Sequence, residues 1–288
     1  MPRRRHFLCW SLTLLALAAT SALADRAHEL VEKGREIQPA RCTSVKRSEA
    51  CHAKYPAGCS RGSPPSYDVY LDFLKNQLPE PEQSTQEVPM LGAQEFEALE
   101  ANSPTTLGTR NHVDHAPALA DLGEGNISAV IGYVYFAKVS PAESDKQGET
   151  SNCQLTGELN SDYHIGIGFD PDLAQKLRQG VRTSRTLLQQ TSIIVEMTPH
   201  FRGRFQPRWN IHQVKKTLGR QVKVVGQLML DNEHVIPAQN CGRPGGNLRT
   251  CWRKSAWEIH PVTELYVCTA DTLCAPASTD WKPLAQIE

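Results

Sequence analysis

Four polar side chains could share one site although they come from three segments that lie far apart along the chain. Each of them sits on a segment that alternates like a β-strand: His164, Glu196, Glu258 and His260. Two imidazoles and a carboxylate are a ligand set that zinc accepts, with an open position for a water molecule. The same groups could perform general acid–base catalysis, because burial of a glutamate beside a histidine shifts its pKa towards neutrality. We therefore predict all four as candidate catalytic residues, and His164, Glu196 and His260 as candidate metal ligands.

The alternative is a structural polar network in which these side chains satisfy one another through hydrogen bonds. No HExxH-type spacing fixes two ligands on one element, so the predicted site depends on strand register. A slip of one residue would turn each side chain to the opposite face of its strand. If these side chains form a structural network, we expect no cofactor. If they form a metal site, we expect a divalent ion such as zinc.

The elements that would position these residues are five segments with the β-branched, aromatic or alternating pattern of strands. They are residues 127–139, 163–169, 192–198, 221–231 and 257–268. Asp170-Pro171 can begin a short helix after the second segment, and Asn210 can cap another, closed by Gly219, after the third. Five strands with a helix between the third and fourth are the outline of an OB-fold barrel.

We therefore predict a mainly β protein: a five-stranded OB-like β-barrel with short helices over residues 108–288. A small helical region that contains cysteines and an acidic linker precedes it over residues 25–107. A five-stranded sheet packed on helices is the alternative. In an OB barrel the third strand lies between the second and the fifth, so His164, Glu196 and either Glu258 or His260 would line up across three neighbouring strands.

A second candidate site combines basic and aromatic residues of two predicted loops. OB barrels present their second and third strands, with the flanking loops, to oligonucleotides or oligosaccharides. Gly166 and Gly168 would leave flat backbone on that face. Aromatic rings stack on bases or sugars, and guanidinium groups pair with phosphates. The candidate ligand-binding residues are Arg202, Arg204, Arg208, Trp209, Arg243, Arg249, Trp252, Arg253 and Lys254. The alternative is a solvated loop, with the aromatics packed over one end of the barrel.

The charges balance overall, with 31 basic and 31 acidic residues, so net charge indicates no partner. Their distribution is uneven: Glu196 is the only acidic residue between Lys176 and Lys223, a stretch rich in lysine and arginine. Such asymmetry can indicate an anionic partner, or two parts of one protein that attract each other.

The N-terminal sequence and the cysteines indicate the cellular compartment of the protein. Residues 1–24 have the basic start, apolar run and Ala-x-Ala end of a cleaved signal peptide, so we expect an exported protein, periplasmic or extracellular, with no transmembrane segment after cleavage. An even cysteine set in such a chain favours disulfides. These cysteines are Cys42, Cys51, Cys59, Cys153, Cys241, Cys251, Cys268 and Cys274. Short-range candidates are Cys241 with Cys251 and two of the three N-terminal cysteines, and a long-range bond is expected for Cys153.

Four longer segments resemble a group of exported bacterial proteins that have an OB-like domain ending in a WEIHPV strand. These segments are SDYHIGIGFD, VEMTPHFR, VKVVGQLMLDNEH and SAWEIHPVTELYVC. The resemblance covers residues 108–270, and SYDVYLDFLKNQ in the N-terminal region is similar too. It implies the OB-like fold and the exported location, and it supplies no activity or catalytic residues.

The preferred function is therefore an exported binding protein whose OB-like barrel holds an extended anionic polymer, either nucleic acid or oligosaccharide, or a protein partner of the cell envelope. Whether it is an enzyme stays open, and binding is preferred over catalysis. The alternatives are a metal-dependent hydrolase that uses the His/Glu/His cluster, and a structural envelope protein without a ligand.

Overall fold

The fold is built from seven strands and nine α-helices over the residues that the computed structural model describes, 26–79, 88–142 and 145–287. The strands are β1 (Met90–Leu91), β2 (Ile127–Ser140), β3 (Asp162–Gly168), β4 (Ser192–Met197), β5 (Gln221–Leu230), β6 (Trp257–Cys268) and β7 (Trp281–Pro283). The helices are α1 (26–35), α2 (Ser48–Lys54), α3 (Val69–Lys75), α4 (Ala93–Asn102), α5 (His112–Asp121), α6 (Pro171–Arg178), α7 (Arg185–Gln190), α8 (Pro199–Phe205) and α9 (Ile211–Lys215).

Five of the strands close into a barrel. Strand β2 pairs antiparallel with β3 and with β5, β3 pairs antiparallel with β4, and β5 pairs antiparallel with β6. The circle is completed by a parallel pairing of β4 with β6, through Val195 and Ile259. Helices α8 and α9 connect β4 to β5. The predicted OB-like barrel is confirmed, and closure pairs apolar strands that would otherwise expose unpaired edges.

Alternation along the strands decides which side chains fill the barrel. Tyr163, Ile165 and Ile167 on β3 belong to the main hydrophobic core, together with Val195 on β4 and Ile259 on β6. Full burial of a side chain of this size stabilises the fold by about 1.5–3 kcal/mol relative to exposure. The residues between them, His164 among them, therefore point away from the barrel axis.

The N-terminal helices cover part of the outer face of the barrel. Leu71 and Leu74 of α3 pack against Ala116 of α5 and against Met229, an outward residue of β5. All the residues of β3 and β4 are buried, on both faces. Polar side chains on the outward face of these strands are therefore shielded from water instead of being solvated.

Four disulfides fix the loops and join the two regions. Cys42 pairs with Cys59, Cys51 with Cys153, Cys241 with Cys251, and Cys268 with Cys274. The pairing of two N-terminal cysteines, the Cys241–Cys251 bond and the long-range bond of Cys153 are confirmed. The bond between Cys51 and Cys153 links α2 to the β2–β3 connection across 102 residues.

No helix within the described ranges combines the length and the hydrophobicity needed to span a bilayer. The predicted signal peptide, residues 1–24, lies outside the described residues, as does most of the predicted acidic linker.

Candidate functional site

The register of the sheet brings the four predicted catalytic residues together. His164 on β3 lies opposite Glu196 on β4, and the β4–β6 pairing puts Glu258 and His260 beside them. His164 Nε2 lies 3.0 Å from Glu196 Oε1, and His260 Nδ1 lies 3.3 Å from Glu196 Oε2. Glu196 thus sits between two imidazoles on the outward face of three neighbouring strands.

Glu258 orients the ring of His260. Its Oε1 lies 3.0 Å from His260 Nδ1, and its Oε2 accepts a hydrogen bond of 3.1 Å from the buried guanidinium of Arg253. A carboxylate that accepts from Nδ1–H leaves the Nε2 lone pair of the imidazole free. His260 Nε2 is buried and has no hydrogen-bond partner.

These contacts continue into a closed ring of eight groups in which cations and carboxylates alternate. The ring runs Arg253–Glu258 at 3.1 Å, Glu258–His260 at 3.0 Å, His260–Glu196 at 3.3 Å, Glu196–His164 at 3.0 Å, His164–Glu149 at 3.7 Å, Glu149–Lys75 at 4.0 Å, Lys75–Asp231 at 3.1 Å and Asp231–Arg253 at 4.0 Å. The charges of this ring cancel when both histidines are protonated. Lys75 comes from α3, so the ring also ties the N-terminal region to the barrel.

The pKa values follow from this alternation. Burial opposes the charged form of His164, but Glu196 and Glu149 outweigh it and raise the pKa of His164 to about 9. The pKa of His260 is also raised, against its burial, by Glu196 and Glu258. The two imidazoles in turn hold the pKa of the Glu196 carboxyl well below its usual range, although burial acts in the other direction.

Asp162 is a fifth member that the sequence interpretation missed. It precedes His164 by two residues on β3, so its side chain points to the same outward face. Asn152 donates a hydrogen bond of 2.7 Å to its Oδ2. Burial, with Glu149 next in importance, raises the pKa of Asp162 to about 8.

Asp162, Glu196 and His260 form a set that could hold a metal ion, with one ligand atom from each lying within 4.8 Å of the others. Each of the three side chains is 1% exposed or less. Asp162 Oδ1 and His260 Nε2 are buried without a hydrogen-bond partner, whereas Glu196 Oε2 has only the 3.3 Å contact with His260 Nδ1. Buried polar atoms almost always have partners, because an unpaired one costs about 1–3 kcal/mol. Two carboxylates and an imidazole are donors that a divalent ion such as zinc accepts.

The residues that the sequence did not predict differ in whether a local sequence pattern marks them. Asp162 could have been found from its two-residue spacing to His164. Lys75 lies on a short helix among apolar residues, and Glu149 lies in a loop. Neither has a local pattern that predicts its contact with the barrel.

Three of the nine predicted ligand-binding residues lie inside the protein, which corrects that expectation for them. Arg202 is 5% exposed, donates to the carbonyls of Glu158 and Ser161, and stacks on the ring of Tyr163. Trp209 belongs to the hydrophobic core. Arg253 is fully buried and paired with Glu258. Basic and aromatic side chains are buried here because internal carbonyls, rings and carboxylates satisfy them.

The remaining six lie at the surface to differing degrees. Arg204, Arg208 and Arg249 are exposed. Arg243 is half-buried and donates to the carbonyl of Pro104, and Lys254 pairs with Glu97 at 3.0 Å. The sixth residue, Trp252, is half-buried. The guanidinium of Arg253 lies over its ring, and the ring of His234 contacts it edge-on.

The glycine face of β3 is not open backbone, which corrects a second expectation. A side chain on Gly166 would collide with the ring of Phe136, and one on Gly168 would collide with the ring of Tyr135. The glycines therefore make room for aromatic rings of β2, and no flat surface is left for a base or a sugar.

Comparison with known protein families, with curated proteins and with solved structures finds no match to this chain.

Proposed function

We propose that this protein binds a divalent metal ion, with zinc as the reference ion, through Asp162, Glu196 and His260. The observation that carries the proposal is the convergence of three buried side chains on the outward face of β3, β4 and β6, with one ligand atom from each within 4.8 Å of the others. Two atoms of this set, Asp162 Oδ1 and His260 Nε2, have no hydrogen-bond partner. Imidazole and carboxylate donors suit zinc and neighbouring first-row ions. Glu258 supports this assignment, because a metal-ligating histidine commonly donates its other ring N–H to a carboxylate.

The ring of charges explains how such a site persists before an ion binds. With both histidines protonated the alternating charges cancel, and a dication takes the place of protons when it binds. Metal binding is thus expected to release protons and to strengthen as the pH rises.

The experiment is elemental analysis of the purified protein after zinc loading and dialysis. We expect about one zinc ion per chain in the wild type, and loss of this ion in Asp162→Asn, Glu196→Gln and His260→Gln. Glu264→Gln, on the same strand as His260, is the matched control and should keep the ion. The proposal would be overturned if the loaded wild type failed to retain zinc, or if all variants retained as much zinc as the wild type.

The activity that this centre fits is metal-dependent hydrolysis. A metal ion with a free position lowers the pKa of bound water and supplies a hydroxide nucleophile. The least buried members of the ring are Glu149 and His164, with side chains 26% and 8% exposed, so a substrate would approach from their side. We expect the zinc-loaded wild type to hydrolyse a phosphodiester such as bis(4-nitrophenyl) phosphate, and the metal-free protein not to. Equal rates for the two forms would exclude this activity while leaving the metal site intact.

A second candidate function is binding of an anionic polymer, favoured by the exposure of Arg204, Arg208 and Arg249. Within the described residues none of these three forms an ion pair with a carboxylate. The affinity for a single-stranded oligonucleotide should fall steeply with salt. The double variant Arg204→Gln/Arg208→Gln should flatten that dependence, whereas Arg41→Gln/Arg47→Gln, also exposed, should not. Identical slopes for the two double variants would remove this candidate.

We also infer that the protein is exported to the periplasm or the cell exterior. The four disulfides support this, because such bonds persist in oxidising compartments. Fractionation of the cells that produce the protein tests the inference, and a cytosolic pool with reduced cysteines would contradict it.

A further inference from the structure

A groove at one end of the barrel gathers cations from the basic stretch between Lys176 and Lys223. The groove has a volume of about 550 Å³, which lies within the usual range of sites for small molecules. Arg178, at the end of α6, Lys216, just after α9, and Arg220, just before β5, line it together with Asp271. None of these residues belongs to the metal site.

The walls of the groove are held in place by short contacts. Gly219, with φ at +72°, packs so closely against α6 that a side chain on it would lie 2.7 Å from Arg178 Cγ. The opposite wall is the loop that the Cys268–Cys274 disulfide closes. Gln221 fastens this loop, because its Oε1 accepts from the Cys274 amide at 2.8 Å and its Nε2 donates to the Cys274 carbonyl at 3.3 Å. The cations are therefore presented on a preorganised frame.

The charges in the groove are not neutralised. Within the described residues, Arg178, Lys216 and Arg220 form no ion pair at 4 Å or less. Arg220 uses one N–H group to donate to the Cys268 carbonyl at 3.1 Å, which fixes the guanidinium and leaves further donors. Three cations against the single carboxylate of Asp271 leave a formal charge of plus two, which complements the charge of about −1.5 to −2 on a phosphate monoester.

We propose that this groove binds a small phosphate monoester, with its phosphate between Arg178, Lys216 and Arg220 and its organic part against Tyr133, Leu218 and Leu273. Arginine suits this role because its planar group offers paired N–H donors to phosphate oxygens. The side chains of Leu218 and Leu273 are 38% and 65% exposed, which leaves apolar surface for the organic part.

The competing explanation is that the cations only complement the carboxyl ends of helices α6 and α9. Lys215 and Lys216 separate the two explanations. Both are exposed, both lie at the end of α9, and only Lys216 lines the groove. Lys215→Gln is therefore a matched control for Lys216→Gln.

The experiment is calorimetric titration with inorganic phosphate and with phenyl phosphate at constant ionic strength. We expect saturable binding at one site per chain, tighter for phenyl phosphate, with affinity reduced about tenfold or more by Arg178→Gln and by Lys216→Gln. Lys215→Gln should remain within about twofold of the wild type, since it changes only the screened surface charge. Equal losses for Lys215→Gln and Lys216→Gln would overturn the proposal. So would the absence of saturation in the wild type, or binding that requires an oligonucleotide.

Discussion

Glu258 and His260 are separated by one residue on β6, but their side chains differ in which atoms have hydrogen-bond partners. Glu258 is clamped between the guanidinium of Arg253 and the imidazole of His260, so it has no oxygen left for an ion. His260 keeps an unpartnered Nε2. In the proposed metal site, Glu196 and His260 are therefore ligands, Glu258 is a positioning residue, and His164 flanks them.

Glu258→Gln tests this division of roles. An amide cannot satisfy both Arg253 and His260 as a carboxylate does, so the imidazole should lose its fixed tautomer and orientation. We expect zinc affinity to fall about 10- to 100-fold, as for other carboxylates behind a ligating histidine, measured by competition with a chelating dye. Glu264→Gln is the control on the same strand. Unchanged affinity in Glu258→Gln, with loss in His260→Gln, would show that Glu258 does not act on the ion.

A second residue-scale prediction concerns the stacked rings of His52 and His200, whose centroids lie 3.8 Å apart. Burial, and then the proximity of His200, lowers the pKa of His52 to about 3, and burial lowers the pKa of His200 to about 4. Between these values and the ordinary value of 6.5 the unfolded chain binds more protons than the native state. The free energy of unfolding should therefore fall as the pH drops from 6.5 to 4.

His52→Phe should flatten this acid-side slope, because a neutral ring can stack in the same place without a proton to take up. We expect a change on the order of 1 kcal/mol between pH 6.5 and pH 5, measured by urea unfolding at several pH values. His212→Phe, at an exposed position, should leave the slope unchanged. The same slope in wild type and His52→Phe would contradict the assignment.

At the scale of elements, the sequence was informative wherever a local pattern determines the structure. The five strands and the helices that begin at Pro171 and Ile211 follow from alternation, from a proline in the first turn and from capping side chains. The outward polar residues of β3, β4 and β6 were placed correctly on one face, because a strand alternates strictly.

What covers that face could not be predicted, because it depends on contacts distant in the sequence. Arg202 shows the difficulty: its sequence neighbours suggest an exposed basic loop, yet two of its three carbonyl partners lie more than 40 residues away. Gly166 shows the converse, since an apparently open position is filled by Phe136 of the neighbouring strand. In both cases tertiary contacts override what the local sequence pattern predicts.

The disulfide between Cys51 and Cys153 gives the element-scale prediction. It closes a loop of 102 residues and fastens α2 beside the segment that carries Glu149 and Asn152, whereas Cys268–Cys274 closes only 6. Removing the long-range bond with paired alanines should cost about 2.5 kcal/mol more than removing the short one, on the chain-entropy account. Denaturant unfolding of both double variants measures this difference. Equal costs would mean that the long bond does not restrict the unfolded chain as proposed.

Over the residues that the structure describes, the molecule is an OB-like barrel, and the N-terminal helices cover part of its outward face. This cover converts polar residues that would otherwise be solvated into a buried cluster, and burial makes their unpaired atoms costly. Lys75 of α3 and Glu149 of the β2–β3 connection complete the ring of charges around this cluster. Thus a site that lies on strands of the barrel depends on the region that precedes it.

The most direct measurement of the central claim is anomalous diffraction at the zinc absorption edge from crystals of the zinc-loaded protein. The account predicts one strong peak about 2 Å from Asp162, Glu196 and His260 ligand atoms, with Glu258 still bound to His260 Nδ1. A peak elsewhere on the chain, or an intact ring of charges with no peak between these three residues, would contradict it.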